Sequence, residues 1–135
     1  MDLRTPSINH LLDLWLNEDL GRGDLSGIAL DENIQSAHWV AKQEGIFCGG
    51  PLVKRLFQRL DPFVEVELLV QDGQKFKNGE KIMNLQGPAR GLIAGERTSI
   101  NLAMHLSGIS TATARLIKEL KGSGIQLADT RKTTP

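Results

Sequence analysis

A chain of 135 residues has room for one ordinary hydrophobic core, or for one small domain and the opening of another, but not for two complete enzyme lobes. Its composition, 40% hydrophobic and 24% charged, is that of a folded, water-soluble domain and excludes disordered and fibrous classes. Sixteen basic and sixteen acidic side chains cancel, so no whole-molecule field draws the chain to nucleic acid or to an anionic membrane, and any bound anion must be met by a local cluster.

In chain order, Thr5 and Pro6 read as an N-cap followed by proline at the first helical position. Ile8, Leu11, Leu12, Trp15 and Leu16 then keep the rhythm of one apolar helix face. The helix gives way to EDLGRGDLS, where Gly21 and Gly23 with Asp19 and Asp24 predict a structured turn. AHWVAKQEGIFC, residues 37 to 48, predicts a strand with an irregularity or bulge at Gly45. Gly49, Gly50 and Pro51 start a second helix with Leu52, Val53, Leu56, Phe57 and Leu60 inward, and Asp61 and Pro62 close it.

Val64, Val66, Leu68 and Val70 alternate with Glu65, Glu67 and Leu69, the period of a strand with one face in the core. Asp72-Gly73 and Asn78-Gly79 are turn dipeptides, and QKFK and KIMNLQG supply short strands around them, so an antiparallel sheet is expected. From Pro88 a long helical region presents Leu92, Ile93, Ile100, Ala103, Met104 and Leu106 inward and is expected to kink or break near Gly108. A following helix turns Leu116, Ile117 and Leu120 inward and stops at Gly122. Ile125, Gln126, Leu127 and Ala128 read as a last short strand.

No apolar run approaches the roughly 20 residues of a membrane span, and the N-terminus lacks the basic-then-apolar pattern of a signal peptide, so a cytoplasmic location is expected. Cys48, the only cysteine, reads as a small buried hydrophobe rather than a catalytic thiol. His10, His38 and His105 are far apart and match no metal-ligand spacing, so no metal site is assigned.

Two stretches carry candidate chemistry. In DTRKTTP a strand end turns abruptly polar, and ligands sit at the carboxyl ends of strands in α/β sheets. Arg131 would grip an anion as a planar fork and Lys132 as a point charge, with the threonine hydroxyls as further donors; a solvated tail is the alternative. In GERTSIN, Glu96 and Arg97 are adjacent on a helix and cannot face one another. Arg97 would there be a rigidly mounted clamp for a carboxylate, against the alternative of a solvated helix face.

EDLGRGDLS, GIFCGG, GERTSINLAMHLSGISTAT and DTRKTTP, in this order, resemble the front half of quinolinate phosphoribosyltransferase, also called nicotinate-nucleotide pyrophosphorylase (carboxylating). The resemblance runs nearly end to end, and ERTSIN, LSGISTAT and DTRKTTP together make it specific. It implies an enzyme of de novo NAD biosynthesis that joins quinolinate to phosphoribosyl pyrophosphate and releases nicotinate mononucleotide, pyrophosphate and carbon dioxide. It implies an α+β fold, with N-terminal helices packed on a small antiparallel sheet of hammerhead or barrel-sandwich type, followed by the start of an α/β barrel. The corresponding division is residues 1–107 and residues 108–135.

By the same resemblance Arg97, Arg131 and Lys132 match quinolinate-binding positions, and Thr130 matches the start of that stretch. The residue matching Arg97 reaches into a neighbouring subunit's site. Magnesium as cofactor and a homodimer or hexamer are also implied, with the magnesium ligands expected beyond TTP. No catalytic residue is assigned. Ser26 stands where the family often has threonine, a change that preserves the hydroxyl.

The chain stops just inside the expected barrel, as though it were a fragment, a shortened gene product or an isolated domain, and it is expected to be inactive alone. The alternatives are a molybdenum-associated pyrophosphorylase-like paralogue, against which Glu96-Arg97 and DTRKTTP weigh, and a non-catalytic dimerisation fragment. A lipoyl- or biotinyl-type carrier is a further rival. Lys75 and Lys77 flank Phe76 ahead of Asn78-Gly79, without the pattern such carriers set around a central lysine.

Overall fold

The computed structural model describes residues 6–21, 23 and 33–132. Three helices and five short strands follow in the order α1 (Pro6–Leu20), β1 (Ile34–Val40), β2 (Gly45–Ile46), α2 (Gly50–Leu60), β3 (Glu65–Leu68), β4 (Lys75–Phe76), β5 (Lys81–Pro88) and α3 (Ala89–Glu119). Strands β1, β5 and β3 form one antiparallel sheet with β5 in the centre, and β2 pairs with β4 in a second, two-stranded sheet. This is the α+β arrangement that the resemblance implied, with the antiparallel sheet expected from the strand periods and turn dipeptides.

The main core lies between the three-stranded sheet and helices α2 and α3. Val66, Met83 and Leu85 from the strands meet Val53 and Phe57 of α2 and Leu92 and Ala103 of α3. Phe57 is 1% exposed, and burying such a side chain stabilises the fold by about 1.5–3 kcal/mol. A smaller cluster joins Leu12 and Leu16 of α1 to Leu56 of α2, with Ile8, Leu20, Leu60 and Leu102 packed around it. Above it, Arg59 donates from Nε and Nη2 to the two carboxylate oxygens of Asp13, each at 2.6 Å, and Arg55 Nε donates to Asn9 Oδ1 at 2.7 Å.

Several expectations are corrected by the packing. The expected N-cap Thr5 lies outside the described residues, as do Asp24, Leu25 and Ser26 of EDLGRGDLS. Helix α1 buries only the i, i+4 stripe of Leu12 and Leu16, while Leu11 and Trp15 stay 41% and 38% exposed. A helix seated against one narrow seam between α2 and α3 covers a narrower stripe than one lying on a broad sheet.

The strand expected over residues 37 to 48 is two strands. β1 begins earlier, at Ile34, its register with β5 shifts between Trp39 and Val40, and the chain then crosses to the second sheet as β2. The irregularity therefore sits five residues before Gly45. Cys48 is half-buried rather than buried, with its Sγ 3.9 Å from Asp72 Oδ2. The turns at Asp72-Gly73 and Asn78-Gly79 form as expected, with φ of 85° at Gly73 and 83° at Gly79, where a side chain would be strained.

Helix α3 is one uninterrupted element of 31 residues, without the break expected at Gly108. Glycine in a helix costs only about 1 kcal/mol, and the tertiary ties on either side of Gly108 outweigh it. Its buried face is built from Gly91, Leu92, Ala94, Gly95, Ser99 and Ala103, while Ile93 and Met104 point outward, 39% and 67% exposed. Small residues hold this face because the Phe57 ring lies directly on the helix: a Cβ at Gly95 would fall 2.7 Å from Phe57 Cδ1. In the last turns of α3, Leu116 and Ile117 are more than half exposed rather than inward. Residues 125 to 128 form no strand, for no neighbouring strand among the described residues offers them a ladder.

Candidate functional site

Arg97 stands in the third turn of α3, and its guanidinium is placed by the end of α1. Its Nη1 donates to Asp19 Oδ1 at 2.8 Å, and Thr98 Oγ1 donates to the other carboxylate oxygen, Oδ2, at 3.3 Å. The side chain of Asp19 is 17% exposed, that of Arg97 75%. A mostly buried carboxylate thus anchors one end of a mostly exposed cation. Because only Nη1 is engaged, the other guanidinium donors have no partner among the described residues.

Glu96 is exposed and forms no ion pair with Arg97, its neighbour on the helix. Thr130, Arg131 and Lys132 follow the loop after α3. Thr130 Oγ1 accepts from the Lys132 backbone N–H at 3.2 Å, a local turn that ties the stretch to itself. The Arg131 and Lys132 side chains are exposed, and among the described residues neither forms an ion pair. No hydrogen bond or ion pair joins Arg97 to Arg131 or Lys132. The two halves of the expected clamp are therefore mounted on separate parts of this chain. Thr133 and Thr134 lie outside the described residues.

One shallow groove on the described surface lies between Asp61, Phe63, Arg90 and Ala94, and another between Ala114, Lys118, Ile125 and Leu127. Neither is lined by Arg97, Arg131 or Lys132. Among the described residues no three His, Cys, Asp or Glu side chains gather as a metal site, so none of them is assigned to magnesium. Lys75 lies within β4, paired with Ile46, and the turn itself is made by Asn78 and Gly79, so neither Lys75 nor Lys77 occupies the hairpin tip. No described helix is long and apolar enough to cross a membrane.

The sequence reading missed Asp19 and Thr98. Asp19 was legible only as a turn residue, because its partner is 78 positions away. It also left unexplained why LSGISTAT should be distinctive. Ser107 and Thr111 of that stretch splint the junction between β2 and α2: Thr111 Oγ1 accepts from the Ile46 N–H at 2.9 Å, and Ser107 Oγ accepts from the Cys48 N–H at 3.0 Å while donating to the Cys48 carbonyl at 3.3 Å. The N-terminus of α2 is closed by Asp72, whose Oδ1 accepts from the N–H groups of Gly49 and Gly50 at 3.0 and 2.9 Å.

A family model described as the N-terminal domain of quinolinate phosphoribosyl transferase matches residues 24–107. The chain is 41% identical over 130 residues to a probable nicotinate-nucleotide pyrophosphorylase (carboxylating) of Synechocystis sp., a match covering 95% of this chain and 44% of that protein. The corresponding Bacillus subtilis protein is 42% identical over 129 residues, covering 95% and 45%. Among solved structures, NadC from Streptococcus pyogenes superposes with a TM-score of 0.92 at 32% identity, over 100% of this chain and 49% of that one. The nicotinate-nucleotide pyrophosphorylase from Francisella tularensis gives 0.88 at 31%, over 93% and 46%. The chain thus spans about half the length of the relatives it matches. With sequence, family model and fold in agreement, the chain belongs to the quinolinate phosphoribosyl transferase N-terminal domain family.

Proposed function

We propose that this chain serves as the N-terminal portion of an enzyme that converts quinolinate and phosphoribosyl pyrophosphate to nicotinate mononucleotide, pyrophosphate and carbon dioxide in NAD biosynthesis. The observation that carries the proposal is Arg97: a guanidinium fixed to a rigid helix by one carboxylate, with its remaining donors unpartnered among the described residues. Quinolinate bears two adjacent carboxylates on a pyridine ring, so its capture calls for more than one cation. Arg97 would hold one carboxylate in a fixed plane, while Arg131 and Lys132, preceded by Thr130, supply the second set of charges. Holding the ring this way directs its nitrogen at the sugar carbon, an orientation that removes several kcal/mol of barrier.

Since Arg97 and the 130–132 stretch share no contact here, the reading supported best has Arg97 completing the site of a neighbouring subunit in a dimer or hexamer. Residues 1–107 then act as the clamp-bearing domain and residues 108–135 lead into the catalytic one. Magnesium would be held outside the described residues.

Equilibrium binding of quinolinate to a full-length enzyme carrying this sequence tests the proposal. Arg97→Ala, Arg131→Ala and Lys132→Ala are each expected to weaken binding about 10- to 100-fold, the worth of a hydrogen-bonded charge. A triple variant that binds quinolinate as tightly as the unaltered enzyme would overturn it. The molybdenum-associated paralogue predicts no quinolinate turnover by that full-length enzyme, and the dimerisation-fragment reading predicts no effect of these residues on any ligand.

A further inference from the structure

We infer that Asp19, with Thr98, is the positioning group of Arg97 and so a determinant of quinolinate capture; this rests on the reading of Arg97 as a quinolinate clamp. Asp19 lies outside residues 24–107, at the last turn of α1, and meets Arg97 across 78 positions of sequence. Its two oxygens are divided between two partners on consecutive residues of α3: Oδ1 takes Arg97 Nη1 at 2.8 Å and Oδ2 takes Thr98 Oγ1 at 3.3 Å. Thr98 therefore fixes the plane of the carboxylate, and the carboxylate fixes the end of the arginine. The side chain of Asp19 is 17% exposed and sits beside Leu16 and Leu20, which pack in the α1 seam, so its position is set by the fold rather than by the arginine.

Arg97, 75% exposed, has no other ion pair among the described residues. Without Asp19 the long side chain would sample its rotamers in water and lose that freedom only on binding, which weakens capture. The negative charge of Asp19 has the opposite effect, since it repels an incoming dianion. The two contributions separate by chemistry: an asparagine keeps an oxygen acceptor for Nη1 and removes the charge, whereas an alanine removes both. If pre-organisation dominates, the asparagine variant resembles the native protein and the alanine variant does not.

The test is steady-state kinetics on a full-length enzyme carrying this sequence, with Asp19→Asn, Asp19→Ala, Arg97→Ala and the Asp19→Ala/Arg97→Ala pair. Asp19→Ala should raise the KM for quinolinate about 10- to 100-fold, the scale of a misplaced binding group, with the KM for phosphoribosyl pyrophosphate unchanged. Asp19→Asn should stay within about threefold of the native value, since its oxygen still accepts from Nη1. In the Arg97→Ala background Asp19→Ala should change nothing further, because a positioning residue without its client has no effect.

Equal losses from Asp19→Ala in both backgrounds, or a quinolinate KM unaltered or lowered by Asp19→Ala, would overturn the role of Asp19 while leaving the Arg97 clamp standing. A native quinolinate KM in Arg97→Ala alone would instead remove the clamp and this inference with it. Should Asp19→Ala fail to fold, Thr98→Val releases only the second oxygen and carries the same cycle, with an expected rise of about threefold.

Discussion

Gly95 and Gly108 lie in the same helix and meet opposite surroundings. A Cβ at Gly95 would enter the Phe57 ring, whereas one at Gly108 would meet nothing within 4 Å. Gly95→Ala should therefore cost about 1–3 kcal/mol through overpacking. Gly108→Ala should stabilise by about 0.5–1 kcal/mol through helix propensity alone. Urea unfolding of the 135-residue chain followed by circular dichroism would show the two midpoints moving in opposite directions; shifts of the same sign would contradict the packing described. From sequence both residues are isolated glycines in a helical pattern, and nothing local distinguishes them. The difference is made by a ring 38 positions earlier.

Among the elements, the joint between β2, α2 and α3 depends on two hydroxyls. Thr111 and Ser107 satisfy backbone groups of Ile46 and Cys48 that leave one small sheet and have not yet entered a helix. Thr111→Val keeps the shape and removes the acceptor, so the Ile46 N–H loses its partner at a cost of about 1–3 kcal/mol. Ser107→Ala should act similarly through Cys48. Hydrogen exchange would register faster exchange at the Ile46 and Cys48 amides in the respective variants; unchanged protection would show that the hydroxyls do not hold the joint. The same ties explain why α3 continues through Gly108. The helix is fastened on both sides of the glycine, at 107 and at 111, and a local preference of about 1 kcal/mol does not break it. Residues 125 to 128 illustrate the converse, a strand-like sequence left irregular because strand formation depends on a neighbour.

At the scale of the whole molecule, the cations proposed for quinolinate are all exposed, and neither of the two grooves described gathers them. Glycosyl transfer from a charged pyrophosphate needs its reactants aligned and its charges held in a site that excludes water. The purified 135-residue chain is accordingly expected to form no nicotinate mononucleotide above background from quinolinate, phosphoribosyl pyrophosphate and magnesium. Chromatographic detection of sustained product formation would refute this. The far half of α3 presents Met104, Ile109, Leu116 and Ile117 to solvent, together with Ile125 and Leu127 in the loop that follows. Apolar area of this extent marks a face that gains by being covered.

The order of helices and strands, the hairpin turns and the family were legible in the sequence because each rests on local period, on turn chemistry or on runs such as ERTSIN and DTRKTTP. The α2 face was read almost in full, since Val53, Leu56 and Phe57 follow one helical stripe. Tertiary structure alone decided which apolar residues of α1 and α3 were buried, where the first strand divided between two sheets, and that α3 stays whole. It alone joined Asp19 to Arg97. A periodic pattern specifies which residues share a face, but burial and ion pairing depend on what arrives opposite that face, and those partners come from positions 38 to 79 residues away.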